Sequence, residues 1–224
     1  MQYSFHNNPE FHVWDQDSYD SIDINALYQN SWMARYLKQG DKILDLGCGP
    51  GYGVKVLERH GYEVLGVDLN HELVTRARAH GLNVIEKDAV DAVREMGEHY
   101  DFFCMSDFVE HIPLEVVFAI CSEVSKLPAK KLFLCTPNLD SMMGFKFWFH
   151  MPTHVNAMHP YVIRQMLEKM NYKIIEEWSE YGNLPGRGWK LKIRCWILDK
   201  LFGPTQARLF HGGANICFVA ESKS

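Results

Sequence analysis

Apolar residues in this chain follow two rhythms that alternate through much of its length. Short apolar runs lie at Lys42 to Leu46, Glu63 to Val67, Asn83 to Lys87, Asp101 to Met105 and Lys131 to Cys135. Between them, in Tyr52 to His60, Glu72 to His80, Ala89 to Met96 and Leu114 to Leu127, apolar residues recur at three- and four-residue steps. The runs predict strands buried on both faces, and the stepped stretches predict helices. Gly61 and Gly81 stand where helices should close, because glycine adopts the left-handed conformation of a C-cap without steric cost. Strands alternating with helices predict an α/β fold with a mainly parallel sheet, helices on both faces and right-handed crossovers.

Outside this core the rhythm changes. Met1 to Asp20 mixes Phe5, Phe11, Trp14 and Tyr19 with polar residues and reads as an irregular arm. Ser21 to Gln39 has helical spacing, with Gly40 as a C-cap. Asn138 to Thr153 reads as a linker rich in Met and aromatics. A helix at Tyr161 to Met170 and a strand at Tyr172 to Trp178 resume the fold, followed by a loop at Tyr181 to Gly188. Trp189 to Phe202 leans to helix, and a strand at Ala214 to Glu221 closes the sheet. The expected organisation is an arm and helix over residues 1–40 that cover a substrate, then one domain over 41–224. That domain carries insertions near 139–153 and 181–213.

Composition narrows the function classes. A chain of 224 residues, 47% hydrophobic and 23% charged, can bury a real core, as one domain with elaborations. Its net charge of -5 gives no support for nucleic-acid binding. The six cysteines include no Cys-x-x-Cys pair, so neither a zinc site nor a disulfide framework is expected, and no metal is assigned. No basic region followed by an apolar run marks the first residues, and no run reaches the ~18 apolar residues of a membrane span. The expectation is a cytoplasmic protein without a membrane span.

Candidate chemistry centres on Lys42-Ile-Leu-Asp-Leu-Gly-Cys-Gly-Pro-Gly-Tyr-Gly53, a strand entering a glycine-rich turn that opens a helix. Such a turn, at the carboxyl end of a strand, is the usual crevice of an open α/β sheet. Dinucleotides and S-adenosylmethionine both use this architecture. The dinucleotide fingerprint wants its third glycine where Tyr52 stands; Gly-x-Gly-x-Gly, with Asp45 two positions ahead, favours the sulfonium cofactor. Asp68, about twenty residues on, ends the second strand, where a carboxylate can accept both ribose hydroxyls. Asp88 ends the third, where it can accept from the adenine amine beside Ala89. Both acids could instead cap the helices that follow them.

The run Ile43 to Gly53 resembles motif I of the class I S-adenosylmethionine-dependent methyltransferases. Val64-Leu-Gly-Val-Asp-Leu69, Asp88-Ala89 and Tyr100 to Pro113 are similar to later motifs of that family, in order. Val109-Glu-His-Ile112, Cys135-Thr-Pro-Asn138 and His154 to Tyr161 resemble a small-molecule branch, similar to the ubiquinone-biosynthesis O-methyltransferase and to natural-product and sugar methyltransferases. The resemblance implies a Rossmann-like seven-stranded sheet with an antiparallel last strand. It implies that Asp45, Gly47, Gly49 and Gly51 shape the pocket for the cofactor's amino-acid end. Asp68 would hold the ribose, Leu69 would lie beside the adenine, Asp88 and Ala89 would take the adenine amine, and Ser106 would line the cofactor. S-adenosylhomocysteine would be the product.

Methyl transfer from a sulfonium needs a positioned nucleophile, and a hydroxyl nucleophile also needs a base. His111, His154 and His159 are the base candidates, with His111 and His154 preferred; His111 could instead bond the backbone at a helix entry, and His154 and His159 could instead orient their loop. The expected activity is methylation of a small molecule, chiefly at oxygen. An NAD-type oxidoreductase and a non-catalytic S-adenosylmethionine-binding regulatory subunit are the alternatives.

Overall fold

The computed structural model describes residues 35–180, 200 and 215–223. The expected arm, most of the first helix, the loop at 181–188, the segment 189–202 and the insertion at 181–213 lie outside them. The chain is helical at Arg35 and Tyr36, turns at Gly40 with φ +93°, and enters β1 (Lys42–Leu46). Then come α1 (Tyr52–Arg59), β2 (Glu63–Asp68), α2 (His71–Ala79), β3 (Val84–Glu86), α3 (Ala89–Met96) and β4 (Phe102–Ser106). These are followed by α4 (Leu114–Ser125), β5 (Lys131–Pro137), α5 (Met142–His150), α6 (Pro160–Lys169), β6 (Tyr172–Glu180) and β7 (Asn215–Ser222).

The seven strands form one sheet in the order β3-β2-β1-β4-β5-β7-β6. β1, β2, β3, β4 and β5 pair in parallel, whereas β7 runs antiparallel between β5 and β6. This is the expected α/β architecture, including its antiparallel last strand. The reversal of order at β1 and β4 places the crevice of the sheet over their carboxyl ends.

The central strands are apolar throughout because each face packs on its own helices. Leu44, Leu46, Phe103, Met105, Leu132, Leu134 and Phe218 pack in a core with Val93, Ile120 and Leu167 of α3, α4 and α6. Alternate residues Ile43, Phe102, Cys104, Phe133 and Val219 pack with Val54, Leu57, Val74 and Ala77 of α1 and α2. The period of two along each strand thus sends successive side chains to opposite layers.

One expectation is corrected. The stretch expected to be a linker at 138–153 contains a helix, α5, capped by the Ser141 hydroxyl, which accepts from the Gly144 N–H at 3.0 Å. Its apolar residues show no single buried stripe, so no amphipathic period marks it. Two 3-10 turns, Gly97–His99 and Val109–His111, were also not foreseen, and β6 runs two residues beyond its expected end.

Asp45 is the exception in the apolar layers. It is 6% exposed in the middle of β1, opposite Gly66 and Cys104. A β-carbon on Gly53 would stand 3.0 Å from its Oδ2, so α1 lies directly over it. Burial raises its pKa to about 7; a bond with the Cys104 side chain opposes the shift and the Asp68 charge adds to it. The folded state therefore holds this proton where the unfolded state has released it. The resulting stabilisation is full below about pH 4 and is lost as pH rises toward 7, on the order of 4 kcal/mol for such a shift. We expect thermal unfolding temperature of the ligand-free protein to fall between pH 5 and 8. Asp45→Asn should flatten that slope; an equally steep slope in the variant would assign the dependence to other groups.

Candidate cofactor pocket and active site

The loop after β1 is built onto the end of β2. The Val67 carbonyl accepts from the Gly47 and Cys48 N–H groups at 2.8 and 3.0 Å. The next N–H, that of Gly49, donates to Asp68 Oδ2 at 2.8 Å, while Asp68 Oδ1 accepts from the Asn70 N–H at 2.8 Å. Gly47 (φ +69°) has a second requirement besides its left-handed backbone. A β-carbon there would lie 2.1 Å from the Phe108 ring. Gly49 (φ +54°) is the opposite case: nothing lies within 4 Å of where its β-carbon would be. The loop therefore packs tightly at Gly47 and opens at Gly49. Gly51 (φ +82°) is the N-cap of α1.

Of the expected cofactor residues, Asp68 does not cap the next helix. That role belongs to Asn70, whose side chain accepts from the Glu72 and Leu73 N–H groups. Asp68 instead ties the glycine loop to the β2 end, and each of its oxygens has a further lone pair. Asp88 does cap: its Oδ1 accepts from Val90 and Asp91 at 2.8 and 3.2 Å, with Ala89 starting α3. Leu69 is 66% exposed beside Asp68. Across from it, at the β3 end, Glu86 meets His71 at 2.6 Å. Asp45 lies beneath the loop and supports it from inside the sheet. Ser106, exposed, ends β4 on the other side of the crevice.

Beyond Ser106 the backbone turns at Asp107, a non-glycine residue at φ +49°, a conformation aspartate tolerates better than most. The 3-10 turn Val109–His111 follows and is joined to the loop after α5. The Glu110 carbonyl accepts from the Val155 and Asn156 N–H groups at 2.8 and 3.1 Å, and Asn156 Nδ2 donates to the Val109 carbonyl at 3.2 Å. These bonds bring together two residues far apart in sequence. The His111 and His154 rings meet edge to face, 4.7 Å between centroids.

His154 Nδ1 lies 2.8 Å from the Trp148 carbonyl of α5. A carbonyl only accepts, so Nδ1 carries the hydrogen and Nε2 holds the lone pair in the neutral ring. Burial lowers the His154 pKa, and the bond to Trp148 only partly opposes it. His159 is positioned differently: its Nδ1 caps α6 by accepting from the Tyr161 N–H, and its Nε2 meets Asp140 at 2.5 Å. It braces two helix starts.

Glu110 was not singled out from the sequence. It is 1% exposed, accepts from Thr136 Oγ1 at 3.0 Å, and has its pKa pushed up by burial and by Asp107. Only its adjacency to His111 could have flagged it. Among the described residues, Glu110, His111 and His154 form a group whose ligand atoms all lie within 4.8 Å, a set able to hold a metal ion.

The pocket fits S-adenosylmethionine. Asp68 offers acceptor capacity for a diol, Leu69 an apolar face for a purine, and Gly49 open space above the loop. The Asp68 carboxylate at the pocket favours a cationic ligand. A pyrophosphate is poorly served. Gly47, Cys48 and Gly49 have donated their N–H groups to β2, Gly51 has donated to the Cys48 carbonyl, and Pro50 has none.

A family profile for methyltransferase domains matches residues 25–177. The ubiquinone biosynthesis O-methyltransferase of Coxiella burnetii is 26% identical over 164 residues, covering 63% of this chain and 70% of that protein. That of Hahella chejuensis is 30% identical over 134 residues, 56% of each. The chain spans about half the length of several of these curated relatives. A SAM-dependent methyltransferase from Archaeoglobus fulgidus has the same fold, with a TM-score of 0.71 over 98% of this chain and 99% of that one, at 23% identity. Fold, pocket and profile agree: the chain belongs to the class I S-adenosylmethionine-dependent methyltransferases.

Proposed function

We propose that this protein methylates a hydroxyl of a small-molecule acceptor, with His154 as general base and His111 beside it. The observation that carries the reading is the Trp148 carbonyl on His154 Nδ1. It fixes the tautomer, so the basic nitrogen is Nε2, and burial keeps the ring neutral near physiological pH. A neutral imidazole can take a hydroxyl proton as the oxygen becomes a nucleophile. Bound S-adenosylmethionine supplies an activated methyl group, so the protein's main work is to orient the acceptor. Support for oxygen as the acceptor atom comes from the printed activity of the relatives, ubiquinone biosynthesis O-methylation. The spent N–H groups of the glycine loop speak against the NAD alternative.

In this reading α5 and the arm at 1–40 border the acceptor, and 41–224 is the methyltransferase unit. The five described cysteines form no disulfide, the state a reducing compartment such as the cytoplasm maintains. Among the described residues no helix is long and apolar enough to cross a membrane. The metal-competent set at Glu110, His111 and His154 supports a second reading. A divalent cation held there would lower the pKa of a coordinated hydroxyl, in place of a general base.

Asp68→Ala should weaken S-adenosylmethionine binding roughly 10- to 100-fold in calorimetric titration, given about 1.5–3 kcal/mol for a bond to a charged acceptor. Unchanged affinity would remove Asp68 from the cofactor site.

His154→Asn keeps a donor for the Trp148 carbonyl but has no basic nitrogen. We expect labelled methyl transfer into a pool of hydroxylated acceptors to fall about 10²- to 10⁴-fold, with cofactor affinity retained. The wild-type rate should rise with pH through a pKa below that of an ordinary histidine and then stay level. Full activity in the variant would overturn the base assignment, and activity abolished by chelation and restored by a divalent cation would favour the metal reading.

A further inference from the structure

The loop that carries His154 is neither helix nor strand over residues 154–159, so no ladder of backbone bonds aims its side chains. Their direction comes from individual hydrogen bonds. Two of these, from the Val155 and Asn156 N–H groups, end on one atom, the Glu110 carbonyl oxygen. Bonds that converge on a single acceptor hold the loop at a point and leave its angle open. A third bond ends elsewhere: Asn156 Nδ2 donates to the Val109 carbonyl at 3.2 Å. Two separate acceptors on the turn that carries His111 define a line, and that line sets the angle at which the loop meets the turn.

An asparagine in a loop commonly bonds the backbone beside it. Asn138 does so, with Oδ1 accepting from the Asp140 N–H, and Asn70 caps its own helix. Asn156 instead directs its amide to a carbonyl 47 residues away in the chain. A carbonyl only accepts, so it is the amide nitrogen that faces Val109. The main chain of Asn156 reaches the other way. Its carbonyl accepts from Trp148 Nε1 at 3.4 Å, and the Trp148 carbonyl holds His154 Nδ1. Turn, Asn156, Trp148 and His154 thus form a closed circuit, within which the His111 and His154 rings meet at 65°. Val109 is 0% exposed, so an apolar side chain in place of the amide leaves its carbonyl without that donor and without water.

We propose that Asn156 is a positioning residue for the histidine pair. Its side-chain amide sets the angle between the two segments and so aims His154 Nε2 at the acceptor hydroxyl. The effect on rate rests on His154 being the general base; the effect on the two rings rests on geometry alone.

The test compares Asn156→Leu, which fills the same space without a donor, with Asn156→Gln, which restores an amide. In proton NMR of the full chain, the His111 and His154 rings should show a nuclear Overhauser contact, assigned by its loss in His154→Asn. It should vanish in Asn156→Leu and return in part in Asn156→Gln. Labelled methyl transfer into a pool of hydroxylated acceptors should fall about 10- to 100-fold in Asn156→Leu, the order expected for a misplaced catalytic group, and recover in part in Asn156→Gln. Calorimetric affinity for S-adenosylmethionine should stay unchanged, which reports an intact fold. Added to His154→Asn, Asn156→Leu should lower the rate no further, as for residues that act as one unit. An undiminished ring contact in Asn156→Leu would overturn the proposal. So would an equal fall in rate in both backgrounds, because Asn156 would then act on something other than His154. Loss of cofactor affinity in both Asn156 variants would also overturn it, by making Asn156 a residue of the fold. Full activity in His154→Asn alone would instead overturn the base assignment, with the ring contact still deciding the geometric role of Asn156.

Discussion

The carboxylate of Asp68 is the fixed point of the site. One oxygen holds the Gly49 N–H and the other the Asn70 N–H, each at 2.8 Å. The preceding Val67 carbonyl holds Gly47 and Cys48. The glycine loop is thus a continuation of β2 as much as of β1. Its conformation depends on parallel pairing that sets Leu46 beside Val67. A change in that register would carry the loop's partners away from it. The same bonds explain ligand choice, because an N–H already donated to the protein is poorly available to a phosphate.

Two buried acids support this arrangement from different positions. Asp45 lies under the loop, where α1 comes close because Gly53 has no side chain. Glu110 lies under the histidine pair, bonded to Thr136 of β5. Burial favours the protonated form of both. Each is a polar group inside an apolar layer, where it costs stability unless bonded, and each has a partner.

The histidine pair is assembled from separate segments. The turn after β4 brings His111, the loop after α5 brings His154, and backbone bonds between Glu110 and Val155–Asn156 join them. The orientation of His154 comes from α5 itself, through the Trp148 carbonyl. An exposed apolar helix therefore orients His154, the residue proposed above as the base.

The sequence by itself determined the order of strands and helices, the glycine loop and the acids at the strand ends. These are local: a buried parallel strand must be continuously apolar, and a chain turning sharply over a strand end needs residues that tolerate positive φ. It also marked His111 and His154 as separate candidates. Only the tertiary structure decided that they meet, that Asp68 clamps the loop while Asp88 caps a helix, and that residues 142–150 form a helix. Those outcomes rest on contacts between segments distant in the chain, or, for α5, on a helix whose apolar residues are not confined to one buried face and so leave no period to read.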